Sequence, residues 1–251
     1  MKDIAESVRK IKNDQKRNKL SEIAYNNIKN AIVNFKFEPG SCLSENMLAE
    51  ALNMSRTPVR EAVNILSQEN LVEVNKGGIY VSDISINDLK QIYDARKALE
   101  CEAIKSSKSN FTDSEIEYLK SKWKECLSTV KSNKKIDWGN ISKNDQELHN
   151  MIVNKSKNHY IQFLFKAINA QVSRYQFLAA IVHDNIEDTI YQHIEIIDLI
   201  HNNNEMLIDK LGTHIDKAAD NLIDLMIEKQ GSLFNIIKEY CFNNRQNQID
   251  Y

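Results

Sequence analysis

Apolar positions in the first third of the chain recur every three or four residues, and short polar breaks separate the runs. At this spacing, one helix face is predicted to carry Ile23, Ile28, Ile32 and Val33. Pro39 and Gly40 follow a few residues later, and this pair enforces a turn. The pattern therefore predicts one helix that ends before this turn.

Two short helices are predicted after the turn. Ser44 can cap the first and Ser55 can cap the second. The second has an apolar stripe at helical spacing, formed by Val59, Ala62, Val63 and Leu66. Its first two turns carry three polar residues, Arg56, Thr57 and Arg60. A recognition helix presents its amino-terminal residues to base edges, and arginine on guanine is the commonest specific contact. Taken alone, two such arginines are more often part of a solvated helix face, and it is the surrounding pattern that favours DNA recognition here.

A β-hairpin is predicted directly after these helices. Residues 71–74 and 79–81 are short apolar runs, and Asn75-Lys76-Gly77-Gly78 lies between them as a turn. Helix, tight turn, helix and hairpin in this order predict a winged helix-turn-helix over residues 20–83, with Lys76 at the tip of the wing.

The rest of the chain is compatible with helices throughout. No alternating strand pattern interrupts residues 84–228, which predict an all-α bundle. Residues 1–19 are a charged leader, and residues 229–251 form a tail that could contain one extra amphipathic helix. The predicted fold class is mainly α: an amino-terminal winged helix-turn-helix followed by a helical-bundle effector domain.

Composition narrows the class of protein. The chain has 251 residues with only 6 Gly and 2 Pro, which fits two mostly helical domains. No apolar run approaches the ~18 residues that a membrane span needs, so we expect a cytoplasmic protein with no membrane partner. The net charge of −2 means that binding to DNA would depend on local placement of basic residues. Four cysteines without a CxxC pair indicate neither a zinc knuckle nor a disulfide framework.

Histidines and a carboxylate in the second region predict a metal site. Asp145 and His149 are four residues apart on a predicted helix, so both lie on one face. His193 and His214 each share a helix face with Ile or Leu residues and are expected to point inward. One inward histidine is more often a hydrogen-bonded core residue, but four such groups each need a partner. One divalent ion would satisfy all four, with zinc expected first and nickel, manganese or iron as alternatives.

Other readings of this region remain open. Arg96 and Arg174 could hold an effector carboxylate, although a salt bridge from Arg96 to Glu100 at the i+4 position fits equally well. The metal could be structural or absent. A metal site with an open position could also serve a hydrolase, but no general base or oxyanion-stabilising motif accompanies it. We therefore expect no enzyme activity.

Residues 37–81, with the run EPGSCLSENMLAEALNMSRTPVREAVNILSQENLV, closely resemble the winged helix-turn-helix of GntR-type bacterial transcriptional regulators. The resemblance implies that Arg56, Thr57 and Arg60 contact bases or phosphates and that Ser55 caps the helix or touches the DNA backbone. It also implies that Lys76, Gly77 and Gly78 form a wing that enters the minor groove. Asn46 stands where members of the family often carry an arginine, which implies a lost contact or a different operator.

The second region resembles the ligand-binding FCD domain of the FadR-like subgroup, through DQELH at 145–149, QHIEIIDLIHNNN and LGTH. Many such domains hold a divalent metal through an Asp and three His, and a small organic acid completes the shell. The implied ligands here are Asp145, His149, His193 and His214. The interval between the last two is about one residue short, which leaves His201 as a possible substitute.

These features together predict a ligand-responsive transcriptional regulator. We expect a repressor, but no sequence pattern distinguishes repression from activation. One winged module with two arginines gives little affinity alone, so we expect a homodimer on a palindromic operator. A small carboxylate bound in residues 84–228 would change the DNA affinity. The effector and the operator sequence are not encoded in any pattern we can read.

Overall fold

The computed structural model describes the backbone of residues 2–132, 136–182, 186–229 and 235–239, and side chains from residue 18 onward. The chain divides into two compact units: the first comprises Met1–Asp83 together with the residues from Ile237 onward, and the second comprises Ile84–Ile236. Among the described residues, no helix is both long enough and apolar enough to cross a membrane. Most of the tail beyond residue 229, where an extra helix was predicted, lies outside the described residues; 235–239 are helical.

The first unit contains three helices and a small sheet. In chain order these are α1 (Lys2–Val33), β1 (Cys42–Leu43), α2 (Glu45–Ala51), α3 (Arg56–Gln68), β2 (Val72–Asn75) and β3 (Gly78–Val81). The stripe predicted for α3 is buried, and it packs with α1. Of the predicted α1 face, Ile28, Ile32 and Val33 are buried, whereas Ile23 is exposed and Ala24 takes its place in the core. The predicted winged helix-turn-helix is therefore confirmed.

The helix starts in this unit differ in their capping. Ser44 caps α2 as predicted, because its Oγ accepts a hydrogen bond from the Met47 backbone N–H at 3.2 Å. Ser55 occupies the N-cap position of α3, but its side chain makes no capping hydrogen bond. The exposed hydroxyl of Ser55 is thus not tied to its own helix.

The wing is a three-stranded antiparallel sheet in the order β1-β3-β2. The predicted hairpin is present, with Val74 opposite Ile79 and Lys76 and Gly77 in the turn. Gly78 has φ +142°, a conformation that residues with a side chain rarely adopt. The edge strand β1 was not predicted, because a strand of two residues has no periodicity to detect.

The second unit is entirely helical over its described residues, as predicted. It contains α4 (Ile86–Ser107), a short 3₁₀ turn (Lys108–Asn110), α5 (Asp113–Lys131), α6 (Trp138–Asn154), α7 (His159–Val182), α8 (Ile186–His201) and α9 (Leu207–Glu228). Buried side chains from these helices form one core. Thr112 and Glu115 form a capping box at the start of α5.

The buried face of α4 differs from the predicted one. The predicted stripe of Ile92, Ala95 and Leu99 is only half-buried. The fully buried face lies one residue further along and consists of Tyr93, Arg96 and Glu100, together with apolar residues at both ends of the helix. Two charged side chains therefore lie inside the bundle, at positions that the apolar pattern leaves outside the buried stripe.

Candidate functional site

The residues predicted to contact DNA lie on two surfaces of the first unit. Ser55, Arg56, Thr57 and Arg60 are exposed at the start of α3, while Pro58 and Val59 between them are buried. Lys76 and Gly77 are exposed at the tip of the wing, and Gly78 is half-buried. The polar face of α3 is therefore open to an external partner, while its apolar face holds the helix in the core.

Arg60 is paired with Glu45, the first residue of α2. Its Nε and Nη2 each donate a hydrogen bond of 2.8 Å to a different oxygen of the Glu45 carboxylate. These bonds lower the pKa of Glu45. Arg56 makes no hydrogen bond or ion pair within the described residues, so the two arginines of this helix differ in their freedom to move.

Four side chains in the second unit converge as the sequence predicts. Asp145 and His149 come from α6, His193 from α8 and His214 from α9. One ligand atom from each lies within 4.8 Å of all the others. The three imidazoles are buried, and the Trp123 ring stacks on His193 at a centroid distance of 4.0 Å. His201 lies exposed at the end of α8, 3.8 Å from an Asp113 oxygen, and does not join this group.

Each of the three imidazoles is held through Nδ1 by a hydrogen-bond acceptor. His193 Nδ1 lies 2.7 Å from the Thr189 carbonyl oxygen. His214 Nδ1 lies 2.9 Å from Gln192 Oε1, and the Gln192 amide nitrogen donates to Asp188. His149 Nδ1 contacts a carboxylate oxygen of Glu100. Because these oxygens can only accept, Nδ1 must carry the proton in all three rings.

With Nδ1 engaged in each ring, the Nε2 atoms are the nitrogens whose lone pairs can bind a metal ion. In a neutral ring whose Nδ1 is protonated, Nε2 carries a lone pair and no hydrogen. His193 Nε2 lies 2.8 Å from Asp145 Oδ1, and His149 Nε2 lies 3.1 Å from the same oxygen and makes no hydrogen bond. Lone pairs that face a carboxylate at these distances repel it, so a cation or extra protons must lie between them.

The electrostatics of the cluster fit a cation. Burial raises the pKa of Asp145, but hydrogen bonds from His149 and His193 outweigh burial and hold it well below its usual value, so with no ion present it is ring protons that offset the carboxylate charge. Burial, together with the other two histidines, lowers the pKa of His214 well below its usual value. An ionised carboxylate and a neutral imidazole are the forms that coordinate a metal, and the shifts of Asp145 and His214 favour them. Burial lowers the pKa of His149, but Glu100 and Asp145 outweigh burial and raise it, so an ion must displace a proton from this ring. The residues present therefore fit a divalent ion with nitrogen and oxygen ligands.

Arg96 and Glu100 support the cluster from α4. Arg96 Nε donates to Glu100 Oε1 at 2.8 Å, which confirms the predicted i+4 pair, and both side chains are fully buried. Burial raises the pKa of Glu100, but His149 and Arg96 outweigh it and hold that pKa below its usual value. Glu100 thus orients His149 as an ionised acceptor. Periodicity alone missed this role, since it assigned Glu100 only to Arg96.

A cavity opens beside the cluster. Its volume is about 60 Å³. Because one ordered water needs roughly 10–15 Å³, the cavity has room for several waters or a small ligand. Arg96 and Gln176 line it, and Arg96 Nη2 and Gln176 Nε2 are buried with no hydrogen-bond partner among the described residues. Arg174, the second predicted effector residue, is fully buried but does not line the cavity. Arg174 and Gln176 are two residues apart on α7, which corresponds to a rotation of roughly 200° about the helix axis. Their side chains therefore point in nearly opposite directions, and only that of Gln176 faces the cavity.

Comparison with known protein families agrees with both halves of the chain. The family of bacterial regulatory proteins described as the gntR family matches residues 20–81. The FCD domain matches residues 91–216. The first match contains α3 and the wing, and the second contains all four residues of the cluster.

Relatives and solved structures extend this agreement to most of the chain. The Nta operon transcriptional regulator of Aminobacter aminovorans is 28% identical over 77% of this chain and 90% of its own. The gluconate operon transcriptional repressor of Bacillus subtilis is 26% identical over 79% of this chain and 83% of its own. A putative GntR regulator from Rhodococcus sp. RHA1 shares the fold, with a TM-score of 0.66, 21% identity and coverage of 81% of this chain and 97% of its own.

These relatives are transcriptional regulators and not enzymes, so a metal-dependent hydrolase finds no support. The amino-terminal unit contains the match to the DNA-binding domain of the gntR family, and the helical unit contains the match to the FCD domain. The chain therefore belongs to the GntR family of bacterial transcriptional regulators, with an FCD domain as its second domain.

Proposed function

We propose that this regulator is a homodimeric repressor that binds a palindromic operator and releases it when a small organic acid enters the cavity of the FCD domain. Arg56, Thr57 and Arg60 read the major groove, Ser55 contacts the backbone, and Lys76, Gly77 and Gly78 enter the minor groove. Asp145, His149, His193 and His214 hold a divalent ion, zinc in the first instance.

The main support for a bound metal ion is that all three imidazole rings are held in the same tautomer. Three separate acceptors, from Glu100, Thr189 and Gln192, hold the Nδ1 protons of the three rings. Metal-bound histidines are oriented in the same way by acceptors on the ring nitrogen that faces away from the ion. Core histidines with unrelated roles would not need two Nε2 atoms aimed at one oxygen of a half-buried carboxylate.

The charge of the site favours an anionic effector. Arg96 offsets Glu100, which leaves the single negative charge of Asp145. A bound divalent ion supplies positive charge and open coordination positions for an effector oxygen. The site with an ion is then a net cation, and the unpartnered Arg96 Nη2 and Gln176 Nε2 provide two further donors for a carboxylate.

The effector can regulate DNA binding only if it has different affinities for the DNA-competent and DNA-incompetent states. A coupling free energy of about 1–3 kcal/mol is typical and changes affinity by about 5- to 150-fold. Reciprocity then requires that operator DNA weaken effector binding by the same factor.

The proposal is tested by DNA binding of the full-length protein to duplexes that it selects from a random-sequence pool. Zinc-loaded protein is titrated with small mono-, hydroxy- and dicarboxylates while its DNA affinity is followed by fluorescence anisotropy. We expect an inverted-repeat motif and a lower DNA affinity with at least one acid. His214→Ala should lose this response and His201→Ala should keep it. An effector response that survives in His214→Ala would contradict the metal-centred mechanism.

A further inference from the structure

The pairing of Arg60 with Glu45 has no clear role in folding. Both bonds measure 2.8 Å, yet 64% of the Arg60 side chain and 26% of the Glu45 side chain are exposed. Exposed ion pairs contribute little to stability, because water screens them and two long side chains lose freedom. The main physical effect of this pair is to fix the orientation of one guanidinium on the recognition helix.

Glu45 binds one edge of the Arg60 guanidinium, and this determines which N–H groups of Arg60 can still contact DNA. Arginine has five N–H groups, and Glu45 uses the edge formed by Nε and Nη2. The other edge, formed by Nη1 and Nη2, remains available with two parallel donors. Guanine presents O6 and N7 as two adjacent acceptors in the major groove, which match such an edge. The pair therefore leaves Arg60 ready for a bidentate contact with guanine.

The charge of Glu45 adds a second effect. A carboxylate beside Arg60 offsets the guanidinium charge and repels DNA phosphates, so it weakens contacts that depend on charge alone. Arg56 lies four residues earlier on the same helix and has no such bidentate partner. Within the described part of the chain, Glu45 thus acts on Arg56 only as a nearby charge, while it holds Arg60 in place.

We infer that Glu45 is a positioning residue for DNA recognition: it presents the Nη1–Nη2 edge of Arg60 to guanine and reduces binding to DNA of other sequences. This inference rests on the proposed DNA-binding function. Because Arg60 is ordered before binding, less side-chain entropy is lost when the base contact forms. Glu45 trades non-specific affinity for sequence specificity without touching a base itself.

The test measures the ratio of affinities for selected and random-sequence duplexes, using full-length zinc-loaded protein. Glu45→Gln should raise affinity for random duplexes and lower the ratio about tenfold, within the range of one bidentate base contact. Glu45→Asp keeps the charge but is too short to bond both nitrogens from the same backbone position, so it should also lower the ratio. In both variants, repeated selection should show a weaker preference at one guanine per half-site, the position that Arg60→Ala also loses.

Matched variants separate positioning from charge and from folding. Glu50→Gln removes the same charge from an exposed position of α2 and should leave the ratio unchanged. In an Arg60→Lys background, Glu45→Gln should cause no further loss of specificity. Thermal melting should show that every variant is folded.

An unchanged ratio in folded Glu45→Gln, or an equal loss in Glu50→Gln, would overturn the inference and leave the DNA-binding function standing. If the wild type enriches no sequence from the pool, the proposed function fails, and this inference fails with it.

Discussion

Two arginine–glutamate pairs, one in each unit, have similar contacts and opposite surroundings. Arg60 and Glu45 are bonded at 2.8 Å on the surface of the winged helix-turn-helix, and Arg96 and Glu100 are bonded at 2.8 Å in the core of the FCD domain. The exposed fractions of the two side chains are 64% and 26% in the first pair, and 1% and 0% in the second. Water screens the surface pair, so its main consequence is orientation. The buried pair cannot lose one member without leaving a charge uncompensated.

The largest expected effect is on the buried pair. Glu100→Ala leaves Arg96 buried without its partner and His149 Nδ1 without an acceptor. We expect the free energy of unfolding, measured by urea denaturation, to fall by about 3–5 kcal/mol. Glu102→Ala, an exposed change on the same helix, should fall within about 0.5 kcal/mol of the wild type. A loss below 1 kcal/mol in Glu100→Ala would mean that this pair behaves like the surface pair.

The next effect concerns metal-dependent stability. Zinc that binds only the folded state stabilises it by about 4 kcal/mol when present at a thousandfold excess over its dissociation constant. We expect a corresponding rise in melting temperature for the wild type and for His201→Ala, whose side chain is exposed. His214→Ala should show almost none of it. If zinc raised the melting temperatures of His214→Ala and His201→Ala equally, the zinc would be bound elsewhere in the chain.

A smaller effect is expected on DNA recognition. Arg60→Ala should lose about 1–3 kcal/mol of discrimination between selected and mismatched duplexes, since a bidentate base contact is worth that amount. Its free energy of unfolding should stay close to that of the wild type, because the side chain is exposed. Lys76→Ala at the wing tip should weaken all duplexes alike and reduce the salt dependence by about one charge. If Arg60→Ala, like Lys76→Ala, lowered the affinity for selected and mismatched duplexes by the same factor, Arg60 would contact only phosphate.

The smallest effect is the stability change on breaking the surface pair. Glu45→Ala should lower the free energy of unfolding by about 0–1 kcal/mol in urea denaturation. A loss comparable to that of Glu100→Ala would remove the distinction between the two pairs. It would also assign Glu45 a structural role in place of the positioning role.

The parts of this molecule that carry a local signal in the sequence are the easier ones to predict. The recognition helix was predicted because its cap position, its apolar stripe and its two arginines lie within one continuous segment. The metal quartet was predicted because Asp145 and His149 share a helix face, and His193 and His214 each lie beside apolar residues. The edge strand β1 was missed because two residues carry no periodic signal.

The support of the metal cluster was largely hidden from sequence reasoning. Arg96 and Glu100 occupy positions on α4 where a hydrophobic pattern places solvent, so the predicted stripe was one residue out of register. Gln176 and Gln192 have no residue type or spacing that marks them, because a glutamine fits a surface as well as a site. Their roles depend on which helices pack together, and only the tertiary structure supplies that.

Metal analysis of the freshly purified protein tests the central claim most directly. We expect about one transition-metal ion per chain in the wild type, since four converging donors can fill most of one coordination shell. Asp145→Ala and His193→Ala should remain folded and lose that ion. A folded, DNA-binding wild type that contains no metal, and takes up none from added zinc, would contradict the metal-centred effector site.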